Sequence, residues 1–106
     1  MTYSNYYLKH PYTVELLGTM FLSFTIFLTG NYLLIGLALA IAVYFGGSIS
    51  GGCFNPAITI CSYLNKSLKS KFIIPYISVQ IIGAIIGFFI AKLILRFMNK
   101  ELLFSA

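Results

Sequence analysis

Gly46-Gly47-Ser48-Ile49-Ser50-Gly51-Gly52-Cys53-Phe54-Asn55-Pro56-Ala57 is the stretch whose reading decides the fold. It is rich in glycine and serine, yet it holds no charged residue. A loop exposed to water normally carries charge. Irregular backbone at membrane depth is tolerated only where protein buries it or where it lines a water-filled cavity. The apolar run that follows, 56–65, is short, roughly 15 Å as a helix. That is about half of a hydrocarbon core of roughly 30 Å. The economical arrangement is a re-entrant loop: extended backbone descends to the midplane, and the short helix climbs back to the same side.

Asn55-Pro56-Ala57 reads as the start of that helix. Asn is a good N-cap, its side-chain oxygen free to accept from the N–H of Ala57 or Ile58. Pro56 takes the first helical position, where a missing N–H costs nothing. The Asn55 amide is then left as an outward donor, in front of the positive end of the helix dipole, about half a charge. A donor and a positive potential at the bilayer centre suit the oxygen of a neutral molecule and repel cations, protons included. The preceding glycines expose carbonyl groups without side-chain obstruction.

Outward from this centre, apolar runs at 13–29 and 32–47 are separated by the turn pair Gly30-Asn31, so two helices return side by side. Gly36, Ala38, Ala40 and Ala42 on the second are small enough for close packing. Past the short helix, Lys66, Lys69 and Lys71 mark a polar connector, and a last helix runs from about Pro75 past Arg96. Gly83 and Gly87 on it form a GxxxG pair, a helix-contact signal. No segment repeats, and one domain is expected over 1–106: a polar tail at 1–11, a membrane core at 12–97 and a second tail at 98–106.

Composition agrees that the solvent is lipid. The chain is 59% hydrophobic and 8% charged, against roughly 45–50% and 25% in soluble proteins. Mean hydropathy is +0.93. The 106 residues accommodate three spanning helices of about 20 residues with their connections. Seven Lys/Arg against two acids, Glu15 and Glu101, flank the apolar runs and point to anionic headgroups rather than nucleic acid. Tyr3, Tyr6, Tyr7 and Tyr12 read as an interfacial aromatic belt, and no removable signal peptide is expected. Cys53 and Cys61 lack the spacing of a metal site or a disulfide framework and are expected as free thiols. With one His, no triad and no paired carboxylates, an enzyme is not expected, nor is a cofactor or metal.

Ser50-Gly-Gly-Cys-Phe-Asn-Pro-Ala-Ile-Thr59 resembles the first pore loop of the aquaporin/glycerol-facilitator (major intrinsic protein) family. Glu15-Leu-Leu-Gly-Thr19 resembles its first-helix motif and Gln80-Ile-Ile-Gly-Ala84 its third-helix motif, with Gly36-Leu-Ala-Leu-Ala40 between them. The likeness covers roughly 12–92, which is the first half of a family member. The family carries two such halves in inverted orientation, and this chain ends where the second is expected to begin. The resemblance implies an all-α membrane protein: three transmembrane helices plus one re-entrant half-helix, one inverted-repeat half of the aquaporin fold. It implies that Asn55 and Ala57 sit at the pore midpoint and that Pro56 stacks on its counterpart. Gly52, Cys53 and Phe54 would line the approach with carbonyls, while Glu15 and Gln80 support the loop. Cys53 stands where the family usually has His. Ile35 and Ile58 fall at filter-like positions, and the family's filter arginine belongs to the half that is absent.

A single half leaves polar groups facing hydrocarbon, each at a cost of several kcal/mol. The missing half is therefore expected from another chain: an inverted copy of this one, a hetero-partner, or a higher oligomer. One side of the membrane would receive Lys9, Lys66, Lys69 and Lys71, and the other Lys92, Arg96 and Lys100. So even a split specifies orientation only weakly. The expected function is a passive channel for water or small neutral solutes of the glycerol kind, in an integral membrane protein. The alternatives are a non-conducting truncated or regulatory membrane protein, or a small dual-topology transporter coupled through Glu15. Cys53, close to the narrowest stretch, is the expected target of mercurials.

Overall fold

The computed structural model describes residues 10–105, with side chains for 10–99. Tyr3, Tyr6, Tyr7 and Lys9 lie outside the described residues, as do the side chains of Lys100 and Glu101. The elements in chain order are α1 (Pro11–Thr29), α2 (Tyr32–Ser50), α3 (Pro56–Leu64), a 3-10 turn (Ser70–Phe72) and α4 (Ile73–Ser105). Among the described residues there is no strand. Three stretches, Pro11–Thr29, Tyr32–Ser50 and Ser70–Asn99, are long and apolar enough to cross a membrane. This is the expected fold class, three spanning helices and one half-length helix.

Local chemistry sets the ends. Gly30 closes α1 in the left-handed conformation (φ 57°), its N–H donating to the Ile26 carbonyl. Asn31 opens α2 at once, Oδ1 accepting from the N–H groups of Leu33 and Leu34 at 3.0 Å each. So short a link leaves α2 no course but back along α1. Pro75 falls in the first turn of α4, where proline is tolerated.

α1 is the middle helix. It packs most extensively on α4 and, on its other side, on α2. The α1–α4 approach is close because Gly83 and Gly87 face α1 backbone. A Cβ on Gly83 would collide with the Leu16 carbonyl, and one on Gly87 with the Met20 carbonyl. Ser23 Oγ donates to the Ala84 carbonyl (2.7 Å) in the same seam.

Three expectations need adjusting. The second helix does not stop near Gly47: it runs to Ser50, and the irregular segment shrinks to 51–55. Gly46 serves contact rather than a break, since a Cβ there would lie 2.6 Å from Val14. A glycine costs a helix only about 1 kcal/mol. The small residues of α2 divide between two faces: Ala38 is buried and Ala42 half-buried, in line with the buried Gly46, but Gly36 and Ala40 are exposed, and nothing lies within 4 Å of a Cβ on Gly36. Lastly, 98–105, expected as tail, continues α4 as helix to Ser105. At 33 residues it is about 50 Å long.

The distribution of polarity reverses that of a soluble domain. Glu15, Ser50 and Thr59 are fully buried, whereas Leu33, Phe45 and Ile74 are 66%, 70% and 76% exposed. Such a surface suits hydrocarbon. The polar interior is where the loop is held.

Candidate functional site

The end of α2, the loop and α4 converge on one carboxyl group carried by α1. Glu15 Oε2 accepts from Ser50 Oγ (2.6 Å) and the Cys53 N–H (3.1 Å). Its Oε1 accepts from the Phe54 N–H (2.7 Å) and Gln80 Nε2 (2.8 Å). A carboxylate has about four lone-pair sites, and all four are used. α1 therefore ties together the end of α2, the loop backbone and α4. Gln80 Nε2 also donates to Thr59 Oγ1 (2.7 Å), which donates to the Asn55 carbonyl (2.9 Å), bringing α3 into the same network. Tyr76 completes it, its hydroxyl donating to the Ser50 carbonyl at 2.6 Å.

The loop itself is tightly wound. Gly51, Gly52 and Phe54 all have positive φ (89°, 64° and 54°). For Phe54 that conformation is costly, on the order of 1–3 kcal/mol, and it persists because both faces of the residue are held. Its N–H is fixed by Glu15, and its ring is 2% exposed, seated where Gly18 and Gly46 leave room. A Cβ on Gly18 would run into the ring. Because the N–H groups of Cys53 and Phe54 turn to Glu15, the loop presents its carbonyls elsewhere.

Asn55 caps α3, Oδ1 accepting from the Ala57 N–H at 2.8 Å, with Pro56 in the first turn. Asn55, Ala57 and Ile58 are exposed and Pro56 is half-buried. The depth of the cap follows from helix rise. Thr59 meets Gln80, seven residues into α4 and so about 10 Å along it; Asn55 is one further turn in, at roughly 16 Å. That is near the middle of a core of about 30 Å. α3 then runs back toward the start of α4, where Leu68 packs with Cys53, Tyr76 and Phe72.

The other positions singled out in the sequence lie as follows. Cys53 is 6% exposed, its Sγ 3.4 Å from Ser62 Oγ and turned away from the open face of α3. Cys61 is the exposed thiol, and both are free. Ile35 is half-buried near the start of α2, and Ile58 is exposed near the start of α3. Within one chain the two lie on separate elements, α2 and α3, which do not pack extensively on each other. Ser50, Thr59, Tyr76 and Gly18 carry positioning contacts that sequence reading did not assign. Tyr76 and Gln80 had a signal, a polar pair four apart in an apolar helix and so on one face. Gly18 had none.

Comparison with known proteins gives the same picture from another side. The family model for the major intrinsic protein matches residues 28–105. Glycerol uptake facilitator protein-like 6 of Lactiplantibacillus plantarum is 42% identical over 85 residues, covering 72% of this chain and 39% of the relative. Aquaporin-8 of Notomys alexis is 42% identical over 59 residues, or 56% of this chain and 23% of its own. Aquaporin AqpM of Methanothermobacter marburgensis is 41% identical over 65 residues, 58% and 26%. The chain thus spans well under half the length of these relatives. No solved structure matches it significantly. A family match over most of the chain, on a bundle of three spanning helices with a half-length helix docked through Glu15 and Gln80, makes this chain a member of the major intrinsic protein family.

Proposed function

We propose that the chain forms half of a passive membrane channel for water and small neutral solutes, completed by a second half that is a copy of itself in inverted orientation. The observation that carries this reading is Asn55. It stands exposed at the open end of a half-length helix, near mid-depth, its oxygen committed to Ala57 and its amide free to donate. A donor left in hydrocarbon costs several kcal/mol, so a stable assembly covers it with protein and solute.

A two-fold axis in the membrane plane does both. Two Asn55 amides and two helix N-termini meet at mid-depth, and each Pro56 stacks on its counterpart. A solute there finds acceptors in the carbonyls of Gly52, Cys53 and Phe54 and a donor in Asn55, while the dipole ends repel cations. Ile35 of one copy comes to the level of Ile58 of the other. Two such apolar mouths discriminate poorly between water and a small polyol, in keeping with relatives named both as aquaporins and as glycerol uptake facilitators. Glu15 and Gln80 serve as loop supports. Glu15 is fully buried with every lone pair engaged, which speaks against a proton-coupled exporter working through it.

Stopped-flow light scattering on liposomes holding only this chain tests the proposal. Water and glycerol fluxes are expected above those of empty vesicles, and Asn55→Ala is expected to lower both while leaving helicity intact. Flux equal to empty vesicles overturns the self-completed pore and favours the non-conducting alternative. A C-terminal tag is expected to be accessible from both sides. A single orientation in all molecules excludes the inverted homodimer and leaves a second half of different sequence.

A further inference from the structure

The far end of α4 holds a feature that the pore reading does not use. A recess of about 510 Å³ is lined by Phe88, Phe89, Lys92, Leu93 and Arg96. A second, of about 480 Å³, follows the α1–α4 seam and is lined by Ser23, Phe27, Ala84, Ile85, Phe88 and Phe89. Phe88 and Phe89 wall both, so the two form one trough, cationic at one end and apolar along its length.

Its height is set by the helices. Phe27 packs edge-on against Phe88, with ring centroids 5.0 Å apart, and α1 ends two residues later at Thr29. Lys92 is one turn beyond Phe88, its Nζ 5.6 Å from that ring, and Arg96 is one turn beyond Lys92 on the same face. The two cations therefore stand where α1 stops, and the apolar part of the trough leads from them toward mid-depth. Among the described residues neither faces a carboxylate: Glu15 is the one acidic side chain among them, and it is buried near the opposite end of the bundle.

We propose that this trough binds one anionic phospholipid, its phosphate held between Lys92 and Arg96 and one acyl chain lying along Phe88, Ile85 and Phe27. Charge complementarity selects this occupant. A zwitterionic lipid brings an ammonium group that cancels the attraction. Inorganic phosphate has nothing to fill the apolar trough. A second copy of the chain laid over the seam would leave two cations uncompensated at the boundary.

Native mass spectrometry of the full chain in micelles doped equally with phosphatidylglycerol and phosphatidylcholine tests it. Each basic residue near an anionic partner is worth on the order of fivefold. With two such residues, phosphatidylglycerol is therefore expected to be retained about twenty-fivefold over phosphatidylcholine. K92Q/R96Q is expected to bring the two lipids to parity. Ile85→Trp, which fills the trough and leaves both charges, is expected to reduce retention of both. Three results overturn the proposal: full displacement of phosphatidylglycerol by millimolar inorganic phosphate, loss of the preference in K66Q/K69Q/K71Q but not in K92Q/R96Q, or an Ile85→Trp chain that changes oligomer mass while retaining lipid unchanged.

Discussion

Glu15 accepts four donors from α2, the loop and α4, and so ties three segments to α1. Glu15→Gln exchanges one acceptor oxygen for an amide that must point at donors, so at least two of the four bonds fail. A hydrogen bond to a charged group contributes about 1.5–3 kcal/mol. The variant is expected to lose several kcal/mol and most of its folded yield in detergent, read by thermal unfolding. The cysteines give a second test at this scale. The sequence pointed to Cys53 as the reactive thiol because it lies two residues before Asn55. The fold turns its Sγ inward against Ser62 and leaves Cys61 exposed. A membrane-permeant maleimide is expected to label Cys61 at least about tenfold faster, following exposure of the thiol. Cys61→Ser should abolish that fast phase; its survival in Cys61→Ser would place the reactive thiol at Cys53. The asparagine cap was readable from three letters because capping is local. The direction of a cysteine side chain is not, since it depends on which neighbour fills the other side.

At the scale of elements, the α1–α4 seam carries the bundle. The GxxxG at Gly83 and Gly87 was legible as spacing, and the structure gives it a partner in the backbone at Leu16 and Met20. The small residues of α2 looked equally suited to packing, yet Gly36 meets nothing. A paired substitution separates the two. Gly87→Val is expected to destabilise by about 1–3 kcal/mol or more, through overpacking against backbone that cannot yield. Gly36→Val is expected to change the unfolding temperature little. Equal effects would mean that α2 is covered in the assembled protein. The end of α2 shows the same limit of sequence reading. Gly46-Gly47 signals a break by composition, but Val14 and Phe54 require the space, and the helix runs on to Ser50.

For the whole molecule the question is orientation. Lys66, Lys69 and Lys71 follow α3 at the end where α4 begins, and Lys92 and Arg96 stand at the other end. K66Q/K69Q/K71Q removes most of the positive charge from the first side. Under the positive-inside rule the other end, with the C-terminus, is then expected in the cytoplasm in all molecules. If an inverted copy completes the pore, flux should fall with the loss of mixed orientation; unchanged flux would argue for a parallel or hetero-oligomeric pore. The sequence by itself determined the solvent, the number of spans, the turn at Gly30-Asn31 and the start of the half-helix. Each of these follows from composition or from residues within a few positions of one another. The tertiary structure alone decided which hydroxyls meet Glu15, where the Phe54 ring sits, which small residues touch a neighbour and which thiol is open. Those outcomes rest on contacts between residues as much as 65 positions apart, such as Glu15 with Gln80. No local pattern encodes such pairings, because the pairing exists only once the helices have packed.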